Sequence, residues 1–198
     1  MRRRGFTIIE LLAVIGILSV LMTIVTTAAV GALRDSRKNR TEATKVALQA
    51  AIASYRAADR SGKWPGALET QANSAKSGWL SEDAAQNVFR IVVQRSTGES
   101  GQMLPLIDPS GLFVAPTGAK DGTTVGLTFN EARQGTEKRQ KIGVARMLFG
   151  HPGKSSGRFH RFNIYYNAAT DSAVVSECCK ECQKQDGTCD KGYCSCHE

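Results

Sequence analysis

The chain has 198 residues, of which 41% are hydrophobic and 22% are charged, and it carries a formal net charge of +8. This composition is close to ordinary globular usage, so it excludes collagen-like, low-complexity and wholly disordered chains. The charge is unevenly placed: the first 33 residues carry only three arginines at 2–4 and Glu10, and all six cysteines lie between Cys178 and Cys196. Two ends with such different chemistry argue against a plain cytosolic single-domain enzyme.

Residues 11–33 contain no charged side chain and predict a membrane-embedded helix. At about 1.5 Å per residue, a helix of this length spans roughly 35 Å, which is enough to cross a hydrocarbon core of about 30 Å. A secretory signal peptide is the alternative, because the small residues at 29–32 resemble a cleavage site. The apolar run is, however, longer than a typical signal-peptide core of about 7–15 residues. Basic residues flank both ends of the run, so charge alone does not fix its orientation.

Glu10 stands at the start of this apolar run and is a candidate functional residue. An ionised carboxylate inside a bilayer is costly unless it is paired. The alternative is a carboxylate at headgroup level, where a helix N-terminus favours negative charge. If the chain is cut after Gly5, the new amine of Phe6 lies four residues before Glu10, on the same helical face.

The sequence GFTIIELL at residues 5–12, preceded by a short basic leader, resembles the class III signal sequence of type IV pilins and pseudopilins. The resemblance implies that a prepilin peptidase cuts between Gly5 and Phe6 and methylates Phe6. It also implies that Glu10 pairs with the amine of a neighbouring subunit as a filament grows. Many pilins carry a proline within the first apolar helix, whereas here no proline precedes Pro65.

The resemblance further implies where the protein resides and what it meets. It implies a single-pass protein of the bacterial inner membrane, with a cytoplasmic N-terminus and a periplasmic or extracellular C-terminal head. Its implied partners are further copies of itself, other pilin-like subunits, the prepilin peptidase and an inner-membrane assembly platform.

Beyond the span, the pattern predicts that the helix continues as an amphipathic segment. Apolar residues recur at three- and four-residue spacing at Leu48, Ala51, Ile52, Tyr55 and Ala58. Gly62 and the Trp64-Pro65 pair then signal the end of the helix. We expect one helix over residues 7–60, with a globular domain covering its second-half stripe. Residues 55–65 also resemble the helix exit of major pseudopilins, which favours a secretion pseudopilin over a long adhesive pilus subunit.

The rest of the chain predicts short strands separated by turns. Residues 67–87 are predicted to form a variable loop with one short helix near 82–87, and residues 88–93 a strand. Further strands are predicted at 112–115, 124–129, 144–149, 159–166 and 172–176. The predicted fold class is therefore α+β, with a small antiparallel sheet packed on the long helix, which is also the architecture that the pilin resemblance implies.

The predicted organisation has five parts. They are a leader at 1–5, a transmembrane or filament-core helix at 6–33, its amphipathic continuation at 34–62, a globular pilin-like head at 63–176 and a Cys-rich tail at 177–198.

Residues 133–161 carry a net charge of +7. Such a region attracts nucleic acid, acidic polysaccharide or anionic headgroups, and Phe159 and Phe162 would interleave aromatic contacts with the cations. The alternatives are a solvated basic loop and a face that meets acidic side chains of the next subunit. The candidate nucleic-acid contacts are Arg139, Lys141, Arg146, Arg158 and Arg161.

The cysteines form a dense cluster in the tail, at Cys178, Cys179, Cys182, Cys189, Cys194 and Cys196. In an oxidising compartment this short polar segment predicts up to three disulfides. One competing interpretation is a metal site built on Cys179, Cys182, Cys194, Cys196 and His197. The other is a set of redox-active thiols. The spacing does not choose a connectivity.

No catalytic pattern stands out in the sequence, so we predict neither an enzyme nor a bound cofactor. The leading hypothesis is a structural subunit of a type II secretion pseudopilus or a type IV pilus-like filament. One alternative is a minor or competence pilin that binds DNA through residues 133–161. Another is a membrane-anchored protein that never polymerises.

Overall fold

The computed structural model describes residues 8–96, 112–116, 146–152 and 159–177. The predicted leader, the predicted strand at 124–129 and the cysteines of the tail lie outside the described residues. The chain divides into two compact units, Met1–Asn39 and Arg40–Glu198.

The described elements follow one another as helices and short strands. In chain order they are α1 (Ile8–Ala58), α2 (Ala67–Asn73), β1 (Gly78–Trp79), α3 (Glu82–Ser96), β2 (Val114–Pro116), β3 (Met147–Pro152), β4 (Phe159–Arg161), β5 (Asn163–Asn167) and β6 (Ser172–Ser176).

Helix α1 runs for 51 residues, which confirms the predicted long helix. Its apolar first half contains serines and threonines whose hydroxyls donate to carbonyl oxygens of the preceding turn. Ser19 Oγ donates to Ile15 O at 2.8 Å, and Thr26 Oγ1 donates to Met22 O at 2.7 Å. These hydroxyls are therefore satisfied within the helix itself, as a helix surrounded by hydrocarbon requires.

The second half of α1 buries one stripe against the core of the second unit. The buried side chains are Thr41, Thr44, Leu48, Ala51 and Ile52. Three of them confirm the predicted stripe, whereas Ala58, at the last turn of the helix, is exposed. Burial of a Leu or Ile side chain contributes about 1.5–3 kcal/mol, so Leu48 and Ile52 carry most of the packing energy of this face.

The predicted strand at residues 88–93 is wrong, because these residues lie within α3. The buried positions of α3 follow the i, i+3, i+4, i+7 pattern of one helical face, at Ala85, Val88, Phe89, Val92 and Val93. The backbone N–H of Ala84 donates to Ser81 Oγ at 3.4 Å. Glu82 and Asp83 place negative charge in the first turn, where the helix dipole favours it. The helical period and this start signal outweigh the β propensity of the Val and Ile residues.

The predicted loop at residues 67–87 is also wrong in its first part, which contains α2 and β1. Leu68 of α2 is completely buried, so this short helix contributes to the core. Strand β1 pairs with β5, with Trp79 opposite Tyr165.

The described strands form two three-stranded antiparallel sheets, with the orders β1-β5-β6 and β2-β3-β4. The α+β class and the antiparallel pairing are confirmed, although the described strands form two sheets rather than one. The predicted strand at 159–166 divides at Phe162, where the chain passes from β4 in one sheet to β5 in the other. The predicted strand at 172–176 coincides with β6. Strands β2 and β3 lie two and three residues later than the predicted starts.

Gln86 of α3 contacts strand β3 and the residue at this division. Its side-chain Nε2 donates to Phe149 O and to Phe162 O, each at 3.0 Å. The backbone N–H of Phe149 donates to Gln86 Oε1 at 2.6 Å. Gln86 is fully buried, so its amide satisfies backbone groups to which water has no access.

Candidate functional site

Glu10 lies in the first turn of α1, with a carboxylate at the positive end of the helix dipole. Its neighbours Ile9 and Leu11 are 77% and 57% exposed. The predicted cleavage residues Gly5 and Phe6 lie outside the described residues. The described part of the site therefore consists of an acidic group at the head of an apolar helix.

The apolar half of α1 presents its side chains on every face. Its most apolar window has a mean hydropathy of 2.7, and none of that window is buried. Large side chains from Ile8 to Leu33 are exposed, including Ile15 at 52% and Val25 at 63%. Soluble proteins rarely expose a contiguous apolar surface of this extent. By length and composition this helix can cross a membrane.

The exit of α1 is held by a cluster that we call the exit cluster, made of Arg56, Trp64, Tyr166 and Asp171. The Arg56 guanidinium lies 4.2 Å from the centre of the Trp64 ring. It also forms an ion pair with the Asp171 carboxylate, and its Nε donates to Gly62 O at 3.1 Å. The residues that resemble a pseudopilin helix exit are thus fixed to the hairpin formed by β5 and β6.

Asp171 is the acceptor at the centre of the exit cluster. Trp64 Nε1 and the Tyr166 hydroxyl donate to its Oδ1 at 3.1 Å and 2.8 Å. Asp171 has a φ of 46°, a left-handed conformation that aspartate tolerates better than most residues, at the end of the turn between β5 and β6. The hydrogen bonds from Tyr166 and Arg56 hold the pKa of the Asp171 carboxyl below its ordinary value. Burial, together with the hydrogen bond to Asp171, raises the pKa of Tyr166.

A second charged contact joins α1 to the residue that follows β6. Lys45 Nζ lies 2.8 Å from Glu42 Oε2 and 3.4 Å from Glu177 Oε1. Burial raises the pKa of Glu177 despite the nearby charge of Lys45. Burial alone would lower the pKa of Lys45, but the two carboxylates outweigh it and raise that pKa. The end of β6, where the predicted tail begins, is therefore tied to the amphipathic half of α1.

The structure describes only part of the predicted basic region. Arg146 is exposed just before β3. Arg161 Nη1 lies 3.6 Å from Glu82 Oε2 and 3.7 Å from Asp83 Oδ1, so this cation faces the acidic first turn of α3. The remaining candidate contacts, Arg139, Lys141 and Arg158, lie outside the described residues.

The aromatic part of the nucleic-acid hypothesis is wrong. Phe159 and Phe162 are 1% and 0% exposed, so they pack inside the head and present no ring to a base. Stacking on exposed aromatic rings is the usual means of holding single-stranded nucleic acid, and these two residues do not supply it.

The cysteine prediction lies outside the described residues and stays a prediction. Within residues 8–96, 112–116, 146–152 and 159–177, no group of three or more His, Cys, Asp or Glu residues could hold a metal ion.

Sequence reasoning missed two groups that position the described head, Gln86 and Asp171. The turn that holds Asp171 is signalled by the polar residues that follow β5, but its contact with Arg56 joins residues 115 positions apart. The contact of Gln86 with Phe162 likewise spans 76 positions. No local pattern reveals pairings of this kind.

Comparison with known proteins bears on the N-terminal segment. Residues 1–26 match the family model described as the prokaryotic N-terminal methylation motif. No curated protein and no solved structure matches the chain. The match covers Gly5, Phe6 and Glu10 and continues into the apolar half of α1. It supports a type IV pilin-like family and a precursor that prepilin peptidase processes.

Proposed function

We propose that the protein is a structural subunit of a type II secretion pseudopilus or a closely related type IV pilus-like filament. The observation that carries the proposal is that the methylation motif is followed directly by an apolar helix that is exposed on every face. The motif supports processing by the peptidase, and the exposed apolar surface supplies the means of assembly. The resemblance of the helix exit to that of major pseudopilins favours the secretion system.

The N-terminal chemistry would act in two steps. Cleavage between Gly5 and Phe6 removes the basic leader and leaves a methylated amine at Phe6. In the filament, Glu10 of one subunit pairs with the amine of its neighbour. Both charges are costly in an apolar filament core, and their pairing fixes the register between subunits.

The driving force for assembly would come from the apolar half of α1. Before assembly, each subunit resides in the inner membrane with its N-terminus in the cytoplasm and its head in the periplasm. On an assembly platform, the apolar helices leave the lipid and pack against one another, while the heads form the outer surface. The work of the filament is mechanical, and the subunit performs no catalysis.

The processing step is tested by intact-mass analysis of the protein from membrane fractions. We expect loss of residues 1–5 and the addition of one methyl group to Phe6. A mature N-terminus near Ala32 would instead identify an ordinary secretory signal peptide and end the filament proposal.

The assembly step is tested with Glu10→Ala, compared with Glu42→Ala as a matched control. Glu42 is an exposed glutamate of the same helix, beyond the apolar run. We expect Glu10→Ala to stay in the membrane fraction, because removing a carboxylate does not hinder insertion, but to lose most of its filament yield. The control should assemble normally. Normal filament yield from Glu10→Ala would show that the carboxylate is only interfacial.

A further inference from the structure

A group of cations lies directly after the apolar run of α1. Residues 34–40 contain Arg34, Arg37, Lys38 and Arg40 against the single carboxylate of Asp35, which gives a net charge of +3. Helical geometry turns by about 100° per residue, so Arg34, Arg37 and Lys38 fall within an arc of about 100°. Asp35 lies about 60° outside that arc. We call Arg34, Arg37 and Lys38 the basic collar.

The collar differs from the cations that follow it along the helix. Arg40 lies 4.2 Å over the Phe113 ring, and Lys45 contacts Glu42 and Glu177. These two side chains are half-buried, whereas Arg37 and Lys38 are exposed.

The position of the collar matches the depth of a phospholipid headgroup. Leu33 is the last residue of the apolar run and is 60% exposed. At about 1.5 Å per residue, Arg37 and Lys38 lie about 6–8 Å beyond Leu33 along the helix axis. The headgroup layer on each side of a bilayer is roughly 5–8 Å thick. Long basic side chains reach into this layer while their stems stay on apolar surface.

We infer that the basic collar binds the phosphate groups of anionic phospholipids in the leaflet where the apolar helix ends. The inference rests on the membrane anchorage included in the proposed function. Arg37 and Lys38 are exposed cations on one arc at phosphate depth, and such cations complement an anionic membrane surface. The collar would thus hold the membrane-resident subunit at a fixed depth before it enters a filament.

The test measures lipid preference with the full chain in phosphatidylcholine vesicles. A small fraction of spin-labelled phosphatidylglycerol or spin-labelled phosphatidylcholine is added. The fraction of motionally restricted label then gives the relative association constant of the two lipids. The test variant is Arg37→Gln/Lys38→Gln. The matched control is Arg60→Gln/Lys63→Gln, which removes one exposed Arg and one exposed Lys beyond the end of α1.

We expect the preference of the wild-type chain for phosphatidylglycerol to fall at least about five-fold in the test variant, because each of the two cations removed is worth about five-fold at an anionic surface. The control should retain the wild-type preference. The wild-type preference should also disappear in about 1 M salt, where the screening length is roughly 3 Å. The leader arginines at 2–4 are present in every variant, so the difference between variants reports on the collar alone.

An equal preference in the wild type and the test variant would overturn the inference. An equal fall in the control would also overturn it, because net charge rather than the collar would then be responsible. If the test variant keeps its lipid preference but loses filament yield, the cations serve a contact with acidic side chains of the next subunit, and the lipid site is rejected. The lipid ratio is measured before any assembly. A wild-type chain that prefers phosphatidylglycerol but forms no filament would therefore refute the filament and leave the lipid site standing.

Discussion

Replacing Gln86 by leucine tests how much one buried amide contributes to the stability of the head. The substitution keeps a similar volume but removes two hydrogen-bond donors and one acceptor. Phe149 O retains the 3.0 Å bond from the Phe162 N–H. The backbone N–H of Phe149 and the carbonyl of Phe162 therefore lose the partner that Gln86 provides.

The expected cost follows from these two buried groups. Each unsatisfied backbone group costs about 1–3 kcal/mol, and the added apolar surface of leucine returns about 1–2 kcal/mol. Two such groups together cost about 4 kcal/mol at the middle of this range, so we expect Gln86→Leu to lower the free energy of unfolding by about 2–3 kcal/mol. For a domain of 150–250 residues, each kcal/mol lowers the melting temperature by roughly 2–4 °C, so the expected fall is roughly 4–12 °C.

The assay is thermal unfolding of the full chain in detergent, followed by near-ultraviolet circular dichroism so that the signal reports packing of the head. Gln49→Leu is the matched control, because Gln49 lies on the exposed face of α1. The control should change stability by less than about 0.5 kcal/mol. If Gln86→Leu unfolds at the same temperature as Gln49→Leu, the stability of the head does not depend on the Gln86 amide and the reasoning is wrong.

Three further predictions concern a charge, a close contact and the tail. Because the pKa of Asp171 is depressed in the folded state, its stabilisation is present above the ordinary carboxyl pKa of about 3.9 and is lost as pH falls through the folded value. Urea titrations at decreasing pH should therefore show a steeper loss in the wild type than in Asp171→Asn, and parallel curves would contradict this. Gly150→Ala would place a Cβ 1.9 Å from His160 O, so we expect it to lower the urea midpoint of the head, at a cost of about 1–3 kcal/mol. Gly31→Ala, whose Cβ meets nothing within 4 Å, should leave that midpoint unchanged, and equal effects would refute the steric argument. Non-reducing peptide mapping should find few free thiols at residues 178–196, whereas thiols that react only after chelation would identify a metal site.

The long helix and the N-terminal motif were predictable because both are local patterns. The apolar run is continuous in the sequence, and the stripe at Leu48, Ala51 and Ile52 recurs at three- and four-residue spacing. Strand β6 was predictable because a turn precedes a short run that contains two adjacent valines, Val174 and Val175.

Residues 88–93 have the β propensity of a strand, but the spacing of their apolar residues is that of a helix. The spacing of Ala85, Val88, Phe89 and Val92 was visible in the sequence, and Ser81 with the two acidic residues after it gave a helix start signal. Propensity is the weaker of the two signals in a segment that packs by one face.

The contacts that fix the head could not be predicted, because they depend on how distant elements meet. Arg56 and Asp171 lie far apart in the sequence, and they form an ion pair only because the hairpin of β5 and β6 packs beside the end of α1. The need for glycine at position 150 arises likewise from the close approach of strand β4.

The exit cluster also sets the order in which the chain can fold. Trp64 lies 107 positions before its hydrogen-bond partner Asp171, and β1 pairs with a strand more than 80 positions later. Contacts of such long sequence separation form slowly, because the intervening loop must close before they stabilise anything. The contacts that complete the head therefore become available only when the chain has emerged as far as β6. In the membrane topology that we propose, the head is therefore incomplete until β6 has crossed the membrane, and we expect the head to fold after export.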